Sequence, residues 1–180
     1  PPIPVYVDSP LSTKGTEIYR KHLDAFNAQF QRYLAQDATP FAFPQLHFIE
    51  SADESKALND SPDPCIIISA SGMMEAGRIR HHLFNHIEHS NNTLLIVGYS
   101  EPSSLGGQLT HGARTIRLFR QELQVKARVE VIQSYSGHAD YREILHYLHP
   151  LNQGRLKDVF LVHGDYESQL ALAARMHRQG

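Results

Sequence analysis

The stretch Tyr135-Ser136-Gly137-His138-Ala139-Asp140 and its echo Leu161-Val162-His163-Gly164-Asp165 decide how this chain is read. Each sets a histidine beside a glycine, in a tight turn between an apolar run patterned like a strand and an amphipathic run patterned like a helix. Such turns are where α/β proteins carry their chemistry. Val125 to Ile132 alternates apolar residues with Lys, Arg and Glu, as a half-buried strand does, whereas Val159-Phe160-Leu161-Val162 is a continuous apolar run suited to a buried one. Between them, Asp140 with Glu143 three residues on, the stripe Ile144, Leu145 and Leu148, and Pro150 predict a capped and terminated helix. Strand, helix and strand in that order predict a crossover with parallel strands. His138 and His163 would then leave one sheet edge and belong to one site, within roughly 10 Å of each other for strands about 4.8 Å apart.

Working outward, Ile3 to Val7 reads as a strand, followed by Asp8 or Ser9 as a helix cap and Pro10 at the first helical position. A capping role suits Asp8 better than a catalytic one. Leu11, Ile18, Tyr19, Leu23, Phe26, Phe30 and Leu34 recur at helical spacing and predict one long amphipathic helix to about Ala35, its aromatics in the core. Leu46 to Ile49 reads as a strand, Ser51 to Leu58 as a short helix, and Asp60-Ser61-Pro62-Asp63-Pro64 as a loop. Cys65 to Ser69 contains three consecutive isoleucines, as a buried parallel strand does, and empties into Ala70-Ser71-Gly72-Met73-Met74 ahead of a helix expected over Glu75 to His89.

That turn has the makings of an anion cradle, with Ser71 and Gly72 as phosphate contacts and Arg78 and Arg80 as candidate partners. The plainer reading is a connecting turn followed by solvated arginines. His82, His86 and His89 can share a helix face, yet no acidic or cysteine ligand is interleaved on it, so no dedicated metal site is expected there. Thr93 to Val97 reads as a strand, Gly98 to Gly107 as a loop, and Arg114 to Phe119 as a hairpin partner of Leu123 to Ile132. Arg114, Arg117, Arg120, Lys126 and Arg128 make this the most basic stretch, either a solvated face or a track for a nucleic-acid backbone. A helix is expected from Tyr166 to about Arg178.

Composition bounds the class. With 180 residues, 41% hydrophobic and 20% charged, the chain is long enough for a sizeable core. A formal charge of −2 excludes a global basic field, so any nucleic-acid contact must be local. The single Cys65 allows no internal disulfide and fits a reducing compartment, for which the cytoplasm is the expectation. No apolar run approaches the roughly 20 residues of a membrane span, and no membrane partner is expected. A nucleotide-binding α/β module is a rival reading, but neither G-x-G-x-x-G nor G-x-x-x-x-G-K-[ST] occurs.

The two histidine turns resemble motifs B and C of the β-CASP branch of the metallo-β-lactamase superfamily. Pro4-Val5-Tyr6-Val7-Asp8-Ser9-Pro10-Leu11, Ser69-Ala70-Ser71-Gly72-Met73-Met74 followed by Gly77, and Val97-Gly98-Tyr99 with Leu105-Gly106 resemble further segments of that family in the same order. The resemblance implies an α/β fold: a mostly parallel sheet flanked by helices, the β-CASP cap, over 1–133, and a βα return segment of a metallo-β-lactamase domain over 134–180. It implies part of a zinc-dependent ribonuclease acting on RNA, with His163 as a metal ligand and His138 at the leaving group or phosphate. Ser136, Gly137, Ser71 and Gly72 would contact RNA phosphates, and Asp140 would orient His138 or cap its helix. In this family a histidine at motif C points to RNA rather than DNA.

The superfamily's main zinc motif, H-x-H-x-D-H, is absent. The chain is therefore expected to be a fragment lacking the N-terminal metallo-β-lactamase half, inactive alone and without tightly held zinc, where the whole enzyme would hold two ions. A noncatalytic β-CASP scaffold subunit of an RNA-processing complex is the alternative. Endonuclease or exonuclease action and a homodimer are left open.

Overall fold

The computed structural model describes residues 2–37, 39–132, 134–135, 137–152 and 156–179. Ser136, one of the expected RNA contacts, lies outside them. The chain divides into two compact units, Pro1–Tyr135 and Ser136–Gly180.

In the first unit, β1 (Val5–Asp8) is followed by α1 (Pro10–Lys21), α2 (Ala28–Leu34), β2 (Leu46–Phe48), α3 (Ala52–Asp60) and β3 (Ile66–Ser69). The three strands form a parallel sheet in the order β2-β1-β3. The chain leaves β1 for a neighbour on one side and comes back on the other, so the loops after β1 and β3 part at the carboxyl edge. Open α/β sheets form their ligand crevices at such places. Ser9, rather than Asp8, caps α1, its hydroxyl accepting from Ser12 N at 3.3 Å.

The single long helix expected up to Ala35 is broken. His22 leaves helical geometry (φ −125°, ψ 41°), a 3-10 turn covers Leu23–Ala25, and Asn27 starts α2 by accepting from Phe30 N at 2.9 Å. Asn prefers such caps to helix interiors because its side chain competes for backbone amides. The expected core stripe is correspondingly thin. Ile18 and Tyr19 are exposed, while Phe26 and Phe30 stack at 4.2 Å between centroids in a small aromatic cluster with Phe41.

Next come α4 (Ile79–His86), β4 (Thr93–Ile96), α5 (Leu105–Thr110), β5 (Thr115–Leu118), β6 (Gln121–Gln124) and β7 (Arg128–Val131). The helix expected from Glu75 starts only at Ile79, because Met74 (φ 61°) and Gly77 (φ 83°) are left-handed. A Cβ on Gly77 would lie 2.4 Å from the Ala70 carbonyl oxygen. The expected strand Leu123 to Ile132 is two strands: β6 pairs antiparallel with β5, and β7 pairs parallel with β4. Between them the Lys126 and Ala127 amides donate to the Ile87 carbonyl at 3.0 and 2.9 Å, which draws the chain off the hairpin ladder. The loop expected over Gly98 to Gly107 ends inside α5, where Gly106 and Gly107 are buried. The core lies here, with Ile87, Leu109 and Leu118 fully enclosed. Burial of each such side chain contributes about 1.5–3 kcal/mol.

The second unit holds α6 (Tyr141–Leu148), a 3-10 turn at His149–Asn152 and α7 (Tyr166–Gln179). The guanidinium of Arg175, on α7, lies 4.5 Å above the Tyr141 ring of α6. The strand expected at Val159 to Val162 joins no ladder among the described residues, and Phe160 and Val162 are more than four-fifths exposed. A strand is defined by its neighbour, and an apolar run without one stays an extended segment. Among the described residues, α6 is thus followed by no second strand of the expected strand-helix-strand crossover.

Candidate functional site

At the carboxyl edge of the β2-β1-β3 sheet, a cavity of about 400 Å³ is lined by Asp8, Ser9, Leu11, Ser71, Gly77 and Arg78 among others. Asp8 is fully buried. Its Oδ2 accepts from Ser55 Oγ at 2.6 Å and lies 2.7 Å from His82 Nε2, and its Oδ1 accepts from Arg78 Nη1 at 2.5 Å. Asn59 directs Nδ2 to the Ser55 carbonyl, leaving Oδ1 facing His82 Nδ1 at 2.7 Å and His86 Nε2 at 3.1 Å. His82 thus meets an oxygen at each ring nitrogen.

Burial pushes the Asp8 carboxyl upward, but hydrogen bonds from Ser55, Arg78 and His82, with the charge of Arg78, outweigh it and hold the group below its ordinary 3.8. Burial, reinforced by repulsion from His82 and His89, pushes His86 below its ordinary 6.5. Fully buried and with both oxygens engaged, the Asp8 carboxylate ties β1, α3 and α4 together, so this network braces the fold.

Arg78 is a correction to the expected phosphate partner. Besides Asp8, its guanidinium donates to the Ile49 carbonyl at 3.2 Å and to that of Glu50 at 2.8 Å, which ties α4 to the ends of β1 and β2. Of the two arginines considered, Arg80 instead lies over the Phe119 ring. Neither Asp8 as a network centre nor Arg78 as a brace was visible from spacing, since their partners are distant in sequence.

Ser71 and Gly72 lie on a clamped turn. The Ala70-Ser71 peptide is cis, the Ser71 amide donates to Ala76 O at 3.3 Å, Ser100 Oγ donates to Gly72 O at 3.2 Å, and Gly106 N donates to Met73 O at 3.0 Å. The amides of Gly72 and Met73 reach no acceptor among the described residues, and both residues are exposed. Successive free amides on a held turn form a concavity suited to an anion.

In the second unit, Gly137, His138 and Asp140 form an exposed approach to α6. Asp140 caps it: Oδ1 accepts from Arg142 N at 2.8 Å and Glu143 N at 2.9 Å, and Glu143 Oε2 accepts from Asp140 N at 2.9 Å. His163 precedes α7 in a left-handed turn (φ 74°, followed by Gly164 at 94°). Gln169 Nε2 holds that turn by donating to the carbonyls of His163 at 3.2 Å and Gly164 at 3.0 Å. Both histidines are exposed.

Parallel sheets flanked by helices are consistent with a β-CASP fold. The chain belongs to the Beta-Casp domain family, whose pattern it matches over residues 1–109. Residues 122–180 match the Zn-dependent metallo-hydrolase RNA specificity domain. It is 33% identical to Ribonuclease TTHA0252 of Thermus thermophilus over its whole length, which covers 41% of that protein. It is 27% identical to transcription termination factor FttA of Methanosarcina mazei, covering 99% of this chain and 29% of that one. It is 28% identical to the RNase J-like protein of Methanocaldococcus jannaschii, covering 95% and 38%. The chain thus spans less than half the length of these relatives.

Zinc, named in the second family, can be tested against the residues present. His163 is a suitable donor type on a rigid turn, but a zinc site needs three or four protein donors. Among the described residues no group of three His, Cys, Asp or Glu side chains is placed to hold a metal. These residues by themselves do not make a zinc site.

Proposed function

We propose that this chain is the β-CASP and RNA-specificity portion of a longer zinc-dependent ribonuclease that hydrolyses RNA phosphodiester bonds, and that the 180 residues alone neither cleave RNA nor hold zinc tightly. The observation that carries the reading is the pair of exposed histidines, each on a locally fixed turn directly ahead of a helix, within the stretch matching the RNA specificity domain. In this reading His163 is one metal donor, with the remaining donors supplied by the rest of the protein. His138 serves the leaving oxygen or the scissile phosphate, a task suited to an imidazole. Ser136 and Gly137, together with Ser71 and Gly72, contact RNA phosphates, and Asp140 sets the approach to His138 by capping α6. The single Cys65 supports a reducing compartment, the cytoplasm.

The test uses the full-length protein and a labelled RNA. His138→Ala is expected to lower turnover about 10²- to 10⁴-fold with zinc content unchanged. His163→Ala is expected to lower zinc content, measured by elemental analysis. Equal metal loss in both variants overturns the assignment of roles, and a wild-type protein that holds zinc without cleaving RNA points instead to a scaffold.

A further inference from the structure

The β5–β6 hairpin and its flanks up to the start of β7 concentrate charge that the rest of the chain does not share. Residues 114–128 contain Arg114, Arg117, Arg120, Lys126 and Arg128 against Glu122 alone, five cations to one carboxylate or +4, in a chain of formal charge −2. Arg128 is paired with Glu130 and Arg117 stands directly across the ladder from Glu122, whereas among the described residues Arg114, Arg120 and Lys126 have no carboxylate partner. Alternation along β5 buries Ile116 and Leu118 and leaves Arg117 exposed.

The turn itself is unusual. Phe119 (φ 47°) and Arg120 (φ 67°) both occupy the left-handed region, in a two-residue hairpin where Asn-Gly would fit without strain. Non-glycine residues kept in that region are often found at functional sites. The strain keeps an aromatic ring and a guanidinium at the tip. The Phe119 ring remains 42% exposed. His81, itself exposed on α4, stacks on it with centroids 4.9 Å apart and planes at 28°. The Arg80 guanidinium lies 5.0 Å from the same ring, and its Nη1 donates to Glu75 O at 3.3 Å. One cation therefore joins the hairpin tip to the turn that carries Ser71 and Gly72. An aliphatic residue on a relaxed turn would serve packing against Phe84 equally well. Stacked rings among unpaired cations are instead what single-stranded nucleic acid uses.

We infer that the β5–β6 tip is a second RNA contact: a base of a single strand stacks on the exposed His81–Phe119 pair, and Arg117 and Arg120 neutralise the flanking phosphates. The inference rests on the ribonuclease reading only for the identity of the polymer. It does not depend on either histidine turn.

The test measures binding of a fluorescein-labelled single-stranded RNA of about 12 nucleotides to the full-length protein, in chelator so that nothing is cleaved. Phe119→Leu keeps apolar bulk but removes the stack, and is expected to weaken binding at least about fivefold. Arg120→Gly removes the charge while relieving the left-handed turn. It is expected to weaken binding and to lower the slope of log affinity on log salt by about one, with its melting midpoint at or above that of the wild type. Wild-type affinity in both variants overturns the proposal. So does a lowered midpoint in Arg120→Gly, which would make the tip a purely structural element. If the wild type fails to cleave RNA while these binding losses persist, the ribonuclease reading falls and the contact stands.

Discussion

The Asp8 network of the first unit and the histidine turns of the second use the same local grammar, the end of an extended segment, a turn and a capped helix, to opposite ends. Around Asp8 the polar groups point inward and bond to one another, engaging both carboxylate oxygens. The His138 and His163 rings are exposed, and the helix starts beside them are held by the Asp140–Glu143 box and by Gln169. No described residue of the second unit is buried. The contrast teaches that perturbed and enclosed is not the same as functional. Asp8 is enclosed with both oxygens bonded inside the protein, whereas the His138 and His163 rings face solvent.

The sharpest way to break this comparison is Asp8→Ala, which leaves Arg78 and His82 without their carboxylate. It should cost about 3–5 kcal/mol in chemical denaturation of the full-length protein, whereas His138→Ala should stay within about 0.5 kcal/mol. Equal costs would erase the distinction between brace and site. Two left-handed glycines come next. Gly77→Ala meets both the backbone strain and the Ala70 oxygen at 2.4 Å, while a Cβ on Gly164 meets nothing within 4 Å. Gly77→Ala should therefore cost about 2–3 kcal/mol and Gly164→Ala about 1, read as shifts in denaturation midpoint. Asp140→Ala removes a cap and should cost about 1 kcal/mol, visible as faster amide exchange in α6.

The smallest effect is in pH. Asp8 is held below 3.8 and His86 below 6.5, so in both cases the folded state resists protonation. The His86 contribution is complete above 6.5 and declines as pH falls below it. The Asp8 contribution is complete above 3.8 and is lost as pH falls through its lower folded value. His86→Gln should remove the upper decline in a midpoint-against-pH series and leave the acid one.

Much of the fold was legible because strands and caps are written in short spacings. Ile66, Ile67 and Ile68 sit in a parallel strand as their run implied, although Ile66 and Ile68 are about half exposed rather than buried, and Asp140 and Glu143 make the capping box their separation implied. What failed did so for identifiable reasons. The stripe from Leu11 to Leu34 kept helical period across a break because period says nothing about Asn27 preferring to cap. Gly106 and Gly107 read as loop but belong to α5, where a Cβ would lie 2.9 Å from Gly72 O and 2.1 Å from Glu101 O respectively. Val159 to Val162 has the residues of a buried strand without a ladder to join.

The order of residues alone determined the histidine turns, the helix that follows each and the family, because these depend on groups three or four positions apart. Only the tertiary structure decided what Asp8 does. Its partners Ser55, Arg78 and His82 lie 47, 70 and 74 positions away. They converge on it through the way α3 and α4 pack beside β1, a consequence of sheet order and burial that no local spacing encodes.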